Sequence, residues 1–186
     1  MSTVSGVGSV APVYTTSTDP NDAMMVAQME RVRLIDLELG GQVDSIRARN
    51  DRIKSLNDIR AMLLTTKTAF NNDAKDTDNA SGQANWKNNG ALQQDAAKLA
   101  DMLDAMGISP NTPSVSEIRS GNFSKARLEA LDTELKGKID SETSGSQMDM
   151  VRLQSLNNKR SEAFDTLTNM LKKLSDGKSS IISNIR

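Results

Sequence analysis

The chain has 186 residues, room for one domain or for one with a small insert. Its 23 basic and 24 acidic side chains leave a net charge of −1, which excludes the strong positive field of a nucleic-acid binder. With no cysteine and no histidine, disulfides, thiolate zinc sites and imidazole bases are excluded, and 37% apolar with 3% aromatic residues is low for a compact domain but fits elongated helices.

Residues 1–21 are rich in Ser, Thr, Gly and Val, with two prolines and Asp19 as the only charged side chain. They show no helical period and are expected to be disordered. They also lack the basic start and apolar core of a Sec signal peptide. Asn21 or Asp22 can cap a helix that runs to about Phe70. Val32, Leu39, Ile46 and Ile53 recur every seven residues, and Ile35, Leu56 and Leu63 share a second seam position whose middle places are Gln42 and Arg49. This is a coiled-coil seam. Gly40-Gly41 interrupts it at a cost of about 2 kcal/mol relative to alanines, so the helix kinks or breaks there, or close packing compensates.

Residues 71–146 form a variable middle segment with two short helices. Residues 71–90 read as a long polar loop. Its carboxylates do not fit an EF-hand, because from Asp76 the glycine position is Ser81 and the terminal glutamate position is Lys87. Trp86, the only tryptophan, is expected to anchor into a nearby helix. Leu92, Ala96, Leu99, Leu103 and Met106 mark an amphipathic helix over 91–106, stopped by Gly107 with Pro110 beyond. Residues 111–116 read as a turn-rich connector. A second helix runs from Asn122 or Ser124 to Asp140 through Leu128, Leu131, Leu135 and Ile139, and SETSGS at 141–146 ends it.

The last forty residues, 147–186, carry the longest pattern. One seam position holds Met150, Asn157, Phe164, Leu171, Lys178 and Ile185; the other holds Leu153, Arg160, Leu167, Leu174 and Ile181. A parallel stripe of Leu156, Ala163 and Met170 widens the face beyond what a two-stranded zipper needs, so more than one neighbouring helix is implied. Both long seams are polar in the middle: Gln42 and Arg49 in one, Asn157 and Arg160 in the other. Facing these polar layers predicts an all-α fold in which the two long helices form an antiparallel coiled-coil hairpin around the small insert. Met25 then falls near Ile182 and Leu56 near Val151. Phe164, Leu167, Leu171, Leu174, Ile181, Ile182 and Ile185 are the expected self-assembly core. No apolar run reaches the length of a membrane span.

The stretch QMDMVRLQSLNNKRSEAFD at 147–165, followed by LTNMLKKLSDGKSSIISNIR, resembles the C-terminal end of type III secretion needle-tip and filament proteins. It is most similar to the Bordetella-type tip-filament proteins and more distantly to the EspA filament family. The close similarity covers about forty residues; the layout of polar start, long helix, variable middle and long terminal helix extends it. The resemblance implies a secreted, extracellular protein at the bacterial surface. It implies export through the needle with residues 1–21 as the signal, self-association through the terminal helices into a filament or cap, and contacts with the needle subunit and the translocator pore proteins. Exposed seams call for a cytoplasmic chaperone before export. The competing reading is an intracellular coiled-coil adaptor or secretion chaperone that holds a partner helix in its groove. An adaptor, however, has no use for the uncharged start. Enzymatic activity and cofactors are not expected: Asp101 and Asp104, or Glu129 and Asp132, stand at i,i+3 beside basic residues in the habit of exposed helix faces, and no glycines cluster as a phosphate loop.

Overall fold

The computed structural model describes residues 20–109 and 113–184, without the side chains of residue 21 and residues 181–184. It is all-α. Helix α1 spans Pro20–Lys67, α2 Ala84–Asn88, α3 Gly90–Ala105, α4 Val115–Ser120 and α5 Lys125–Asn184, with a 3₁₀ turn at Ala80–Gly82. The two long helices, α1 and α5, pack against each other as an antiparallel hairpin with the short elements inserted between them in sequence.

Two expected breaks are absent. Gly40-Gly41 lies inside a continuous α1, and close packing does not compensate, because a Cβ on either glycine would meet nothing within 4 Å. The boundary between two compact units falls here instead: one unit takes the described part of α1 through Gly41 with α5 from Leu153, the other is Gln42–Arg152. The SETSGS stretch does not end a helix either. The helix expected to stop at Asp140 and the terminal helix expected to start at Gln147 are the single helix α5.

The Gln42–Arg152 unit holds the larger core. Leu56, Ile59 and Leu63 of α1 meet Leu92, Ala96, Leu99 and Leu103 of α3 and Leu128, Leu131 and Leu135 of α5, with Ile118 and Phe123 closing one end. Each of the fully buried leucines is worth about 2–5 kcal/mol relative to alanine. The α3 stripe is the one its spacing predicts. Asn89 caps it by accepting from the Leu92 amide at 3.2 Å, and Gly107, at φ 65°, ends it while the Ile108 amide returns to the Leu103 carbonyl at 2.9 Å.

The polar loop is more ordered than its composition suggests. Trp86 of α2 is buried with its ring edge-on to Phe123 at 5.7 Å, and Phe123 also meets Phe70 at 6.0 Å. The Ala80 and Ser81 amides donate to the Phe123 and Gly121 carbonyls at 3.0 and 2.9 Å. Trp86 thus joins the core shared with α1, α3 and α5, and packs on the turn between α4 and α5 as well. α4 falls partly in the expected connector, yet its start was legible: Ser114 and Glu117 form a capping box. Glu117 also receives both terminal nitrogens of Arg127 at 2.8 and 2.7 Å, tying α4 to the first turn of α5. Asp132, expected on an exposed face, is buried. Burial pushes its carboxyl up, but Lys136 and Arg60 outweigh burial and the net shift is downward.

Gly121 sits at φ +75°, and a Cβ there would lie 2.5 Å from the Trp86 ring. Gly121→Ala is expected to destabilise the protein by about 1–3 kcal/mol in urea unfolding followed by Trp86 fluorescence. Gly137→Ala, on the open side of α5, is expected to stabilise it by about 0.5–1 kcal/mol. Equal effects would contradict the Trp86–Gly121 packing.

Arg127, helped by the Ser114 amide and hydroxyl, lowers the Glu117 carboxyl from the ordinary 4.5 to about 2. Folding therefore favours the charged form. The stability it contributes is complete above 4.5 and is lost as the pH falls through about 2. Across that interval the wild-type urea midpoint should fall more steeply than that of Glu117→Gln, and parallel curves would refute the coupling.

Candidate assembly surface

α1 presents its seam as its spacing predicts. In the unit containing the start of α1, Val32 and Ile35 are buried and Leu39 is half-buried. In the Gln42–Arg152 unit, Gln42, Leu56 and Leu63 are buried, while Ile46, Arg49 and Ile53 are half-buried.

α5 turns a different face inward from the one expected. Of its buried positions, Leu128, Leu135, Leu156 and Ala163 lie on one seven-residue repeat that also passes through Glu142, Asp149 and Met170, with Leu131 and Asp132 buried beside it near the start of α5. The stripe that looked accessory is therefore the seam. Met150, expected in the seam, is 58% exposed, and Asn157 is exposed as well. Phe164 and Leu171, on the same repeat, are 40% and 49% exposed. The second expected position keeps its place, with Leu153, Arg160, Leu167 and Leu174 half-buried. Ile181 and Ile182 belong to α5, but their side chains lie outside the described residues, as does Ile185 altogether. Within Gln42–Arg152 the phase is set by Leu128, Leu131 and Leu135 in the larger core. Charged residues at 142 and 149 interrupt the apolar repeat in the sequence.

The expected facing of polar layers is corrected in the same way. Arg49 binds Glu142 and Asp149, and Gln42 donates to the Asp149 carbonyl at 3.3 Å. Arg160 binds Asp36 at 2.5 Å and lies 5.0 Å from the Phe164 ring centre. The four residues thus do not form one layer. Arg52 and Arg60, which flank Leu56, bind Glu142 and Asp132, so Leu56 faces residues between these and not Val151. Moving back from Asp36–Arg160 along both helices likewise brings Met25 towards Leu171 rather than Ile182. The register differs because α5 starts at Lys125 and its carboxylates, invisible as partners in a search for apolar repeats, satisfy the arginines of α1.

The unit formed by the start of α1 and the end of α5 is left with little core of its own. Its buried cluster is Val32, Ile35 and Ala163, with Leu39 against it and Leu156 buried nearby. On the outside of the same unit Met24, Val26, Met29, Leu34 and Leu37 of α1 are exposed, as are Phe164 and Leu171 of α5. Helical spacing distributes them to both sides of the seam. Asp36 and Arg160 mark one flank, with Met29 two turns from Asp36 and Phe164 one turn from Arg160 along the helices. The other flank is a groove whose floor is Leu34, Ile35 and Leu156, rimmed by Glu30, Glu38, Arg31 and Lys159. Two helices share one seam and cannot cover each other's flanks, so these apolar side chains stay exposed. Among the described residues no group of three His, Cys, Asp or Glu side chains converges to hold a metal ion, and no helix is long and apolar enough to cross a membrane.

Compared with known proteins, the chain matches no family model, no curated protein and no solved structure.

Phe164→Asp and Leu171→Asp should leave the helical circular dichroism and unfolding midpoint of the monomer nearly unchanged, because both side chains already meet water. Ala163→Asp places a charge in the seam and should cost about 3 kcal/mol or more. A Phe164→Asp monomer as damaged as Ala163→Asp would show that the phase of α5 is wrong.

Proposed function

We propose that this chain is an extracellular structural component of a type III secretion system that self-assembles at the needle tip, into a filament or cap, and links the needle to the translocator proteins. The carrying observation is the two-helix unit with apolar side chains exposed on both flanks of its seam. The resemblance of residues 147–186 to needle-tip and filament proteins supplies the biological setting.

The physical argument is one of unmet burial. Phe164 and Leu171 together expose apolar area that is worth about 25 cal/mol per Å² once covered, and neighbouring α1 residues add to it. The two flanks differ in chemistry: one carries Phe164 beside the Asp36–Arg160 pair, the other Leu34 between acidic and basic rims. Unlike flanks meet head to tail, and such contacts make rings when they close and helical filaments when they do not. The role is structural, with no reaction assigned to it. The partners are further copies of the chain, the needle subunit and the translocators, and a chaperone covers the flanks before export.

Size-exclusion chromatography with light scattering, followed by negative-stain microscopy of the void fraction, tests the reading. Wild-type protein should form filaments or a uniform closed oligomer, and Leu171→Asp or Phe164→Asp should reduce either to monomer. Removing residues 2–20 should block export while leaving folding intact. A wild-type protein that stays monomeric or dimeric at high concentration, with export unaffected by that deletion, would favour the intracellular adaptor, for which the Leu34 groove is the place to look for a bound helix.

A further inference from the structure

Residues 140–149 of α5, DSETSGSQMD, are helical without any of the usual reasons. Three serines, Thr143 and Gly145 are all poorer helix formers than alanine. The stretch buries no large apolar side chain: its only one, Met148, is 73% exposed. What reaches it from α1 is polar. The Arg49 Nη1 donates to Glu142 Oε2 at 2.7 Å and its Nε to Asp149 Oδ2 at 2.9 Å. Arg52 adds a longer contact to Glu142, Gln42 donates to the Asp149 carbonyl, and the Ser146 hydroxyl reaches Asn50 Oδ1 at 3.3 Å. Between its two carboxylates the guanidinium lies directly over Gly145, where a Cβ would collide with Nη1 and Cζ. All of these groups belong to the Gln42–Arg152 unit and stand at its edge.

We propose that Arg49 is a latch: its guanidinium, spanning Glu142 and Asp149 across Gly145, holds residues 141–149 in the helix, and when it is displaced α5 breaks there into two helices. Arg49 is suited to this because its planar fork reaches two carboxylates two turns apart, which a lysine cannot do. The carboxylates stand at the same seam repeat as Leu135 and Leu156, so the latch occupies the place an apolar pair would fill. An apolar pair would lock the helix permanently; an ion-paired one can be released by a competing carboxylate or by high salt. Gly145 is the matching half of the device, since it makes room for the guanidinium and supplies a breakpoint once the guanidinium has left. The inference does not depend on what the chain assembles with.

Amide hydrogen exchange on the full chain reads the latch directly. In Arg49→Met, which keeps the length of the stem, the amides of residues 143–149 should exchange about tenfold faster or more than in wild type, while those of Leu99 and Leu103 in α3 hold their protection. Arg49→Lys, the milder variant if Arg49→Met folds poorly, should fall between. Gly145→Ala should accelerate exchange in the wild-type background, by displacing the guanidinium, and slow it in the Arg49→Met background, where only the better helix propensity remains. Unchanged exchange at 143–149 in both Arg49 variants would overturn the proposal. So would a rise of equal size at Leu99 and Leu103, or a Gly145→Ala substitution that has the same sign in both backgrounds.

Discussion

Within Gln42–Arg152 the face that α5 turns towards α1 is set near its beginning. Leu128, Leu131 and Leu135 are buried in one core with α1 and α3 side chains, and the repeat of Leu128 and Leu135 runs on to Glu142 and Asp149. In that unit the repeat holds Leu128, Leu135, Glu142 and Asp149; in the terminal unit the buried positions of α5 are Leu156 and Ala163, with Met170 half-buried. Two of these residues are carboxylates, and α1 answers them with Arg49. The small Ala163 is fully buried, whereas the larger Phe164 beside it is left at the surface. The exposed apolar flank of the terminal unit follows from Ala163 rather than Phe164 facing α1 there.

The two units stabilise their helices by different means. In Gln42–Arg152, α3, α4 and the Trp86–Phe123 contact supply the extra neighbours that a pair of helices lacks, and leucines are buried completely. Charges there act as ties between elements: Arg127 on Glu117 joins α4 to α5, and Arg60 with Lys136 neutralises buried Asp132. In the unit made from the start of α1 and the end of α5 there is no third element among the described residues, and its buried cluster is small. The apolar side chains of that unit are therefore left partly exposed.

How far each part was legible depends on whether local or distant groups decide it. The α1 seam, from Val32 to Leu63, could be read directly, because every place in it is apolar or a long polar side chain whose stem packs. α3 could be read from its stripe and its stop at Gly107. α4 carries a readable capping box, Ser114 with Glu117, that starts within the turn-rich residues 111–116. α2 had no local signal at all; one turn of helix around Trp86 is held by Phe123 and by amide contacts of Asn85 to Thr68 and Asn71.

The sequence by itself determined that the protein is all-α, that two long heptad-bearing helices dominate it, and that their combined apolar surface exceeds what they can bury in each other, because these follow from spacing and side-chain type alone. Only the tertiary structure decided which stripe of α5 faces inward, where α1 and α5 stand in register, and that α5 runs unbroken through SETSGS. The reason is that each of those outcomes rests on partners distant in sequence. Arg49 reaches Glu142 and Asp149, Arg60 reaches Asp132 and Arg160 reaches Asp36, and periodicity within one helix carries no information about the charges waiting on another.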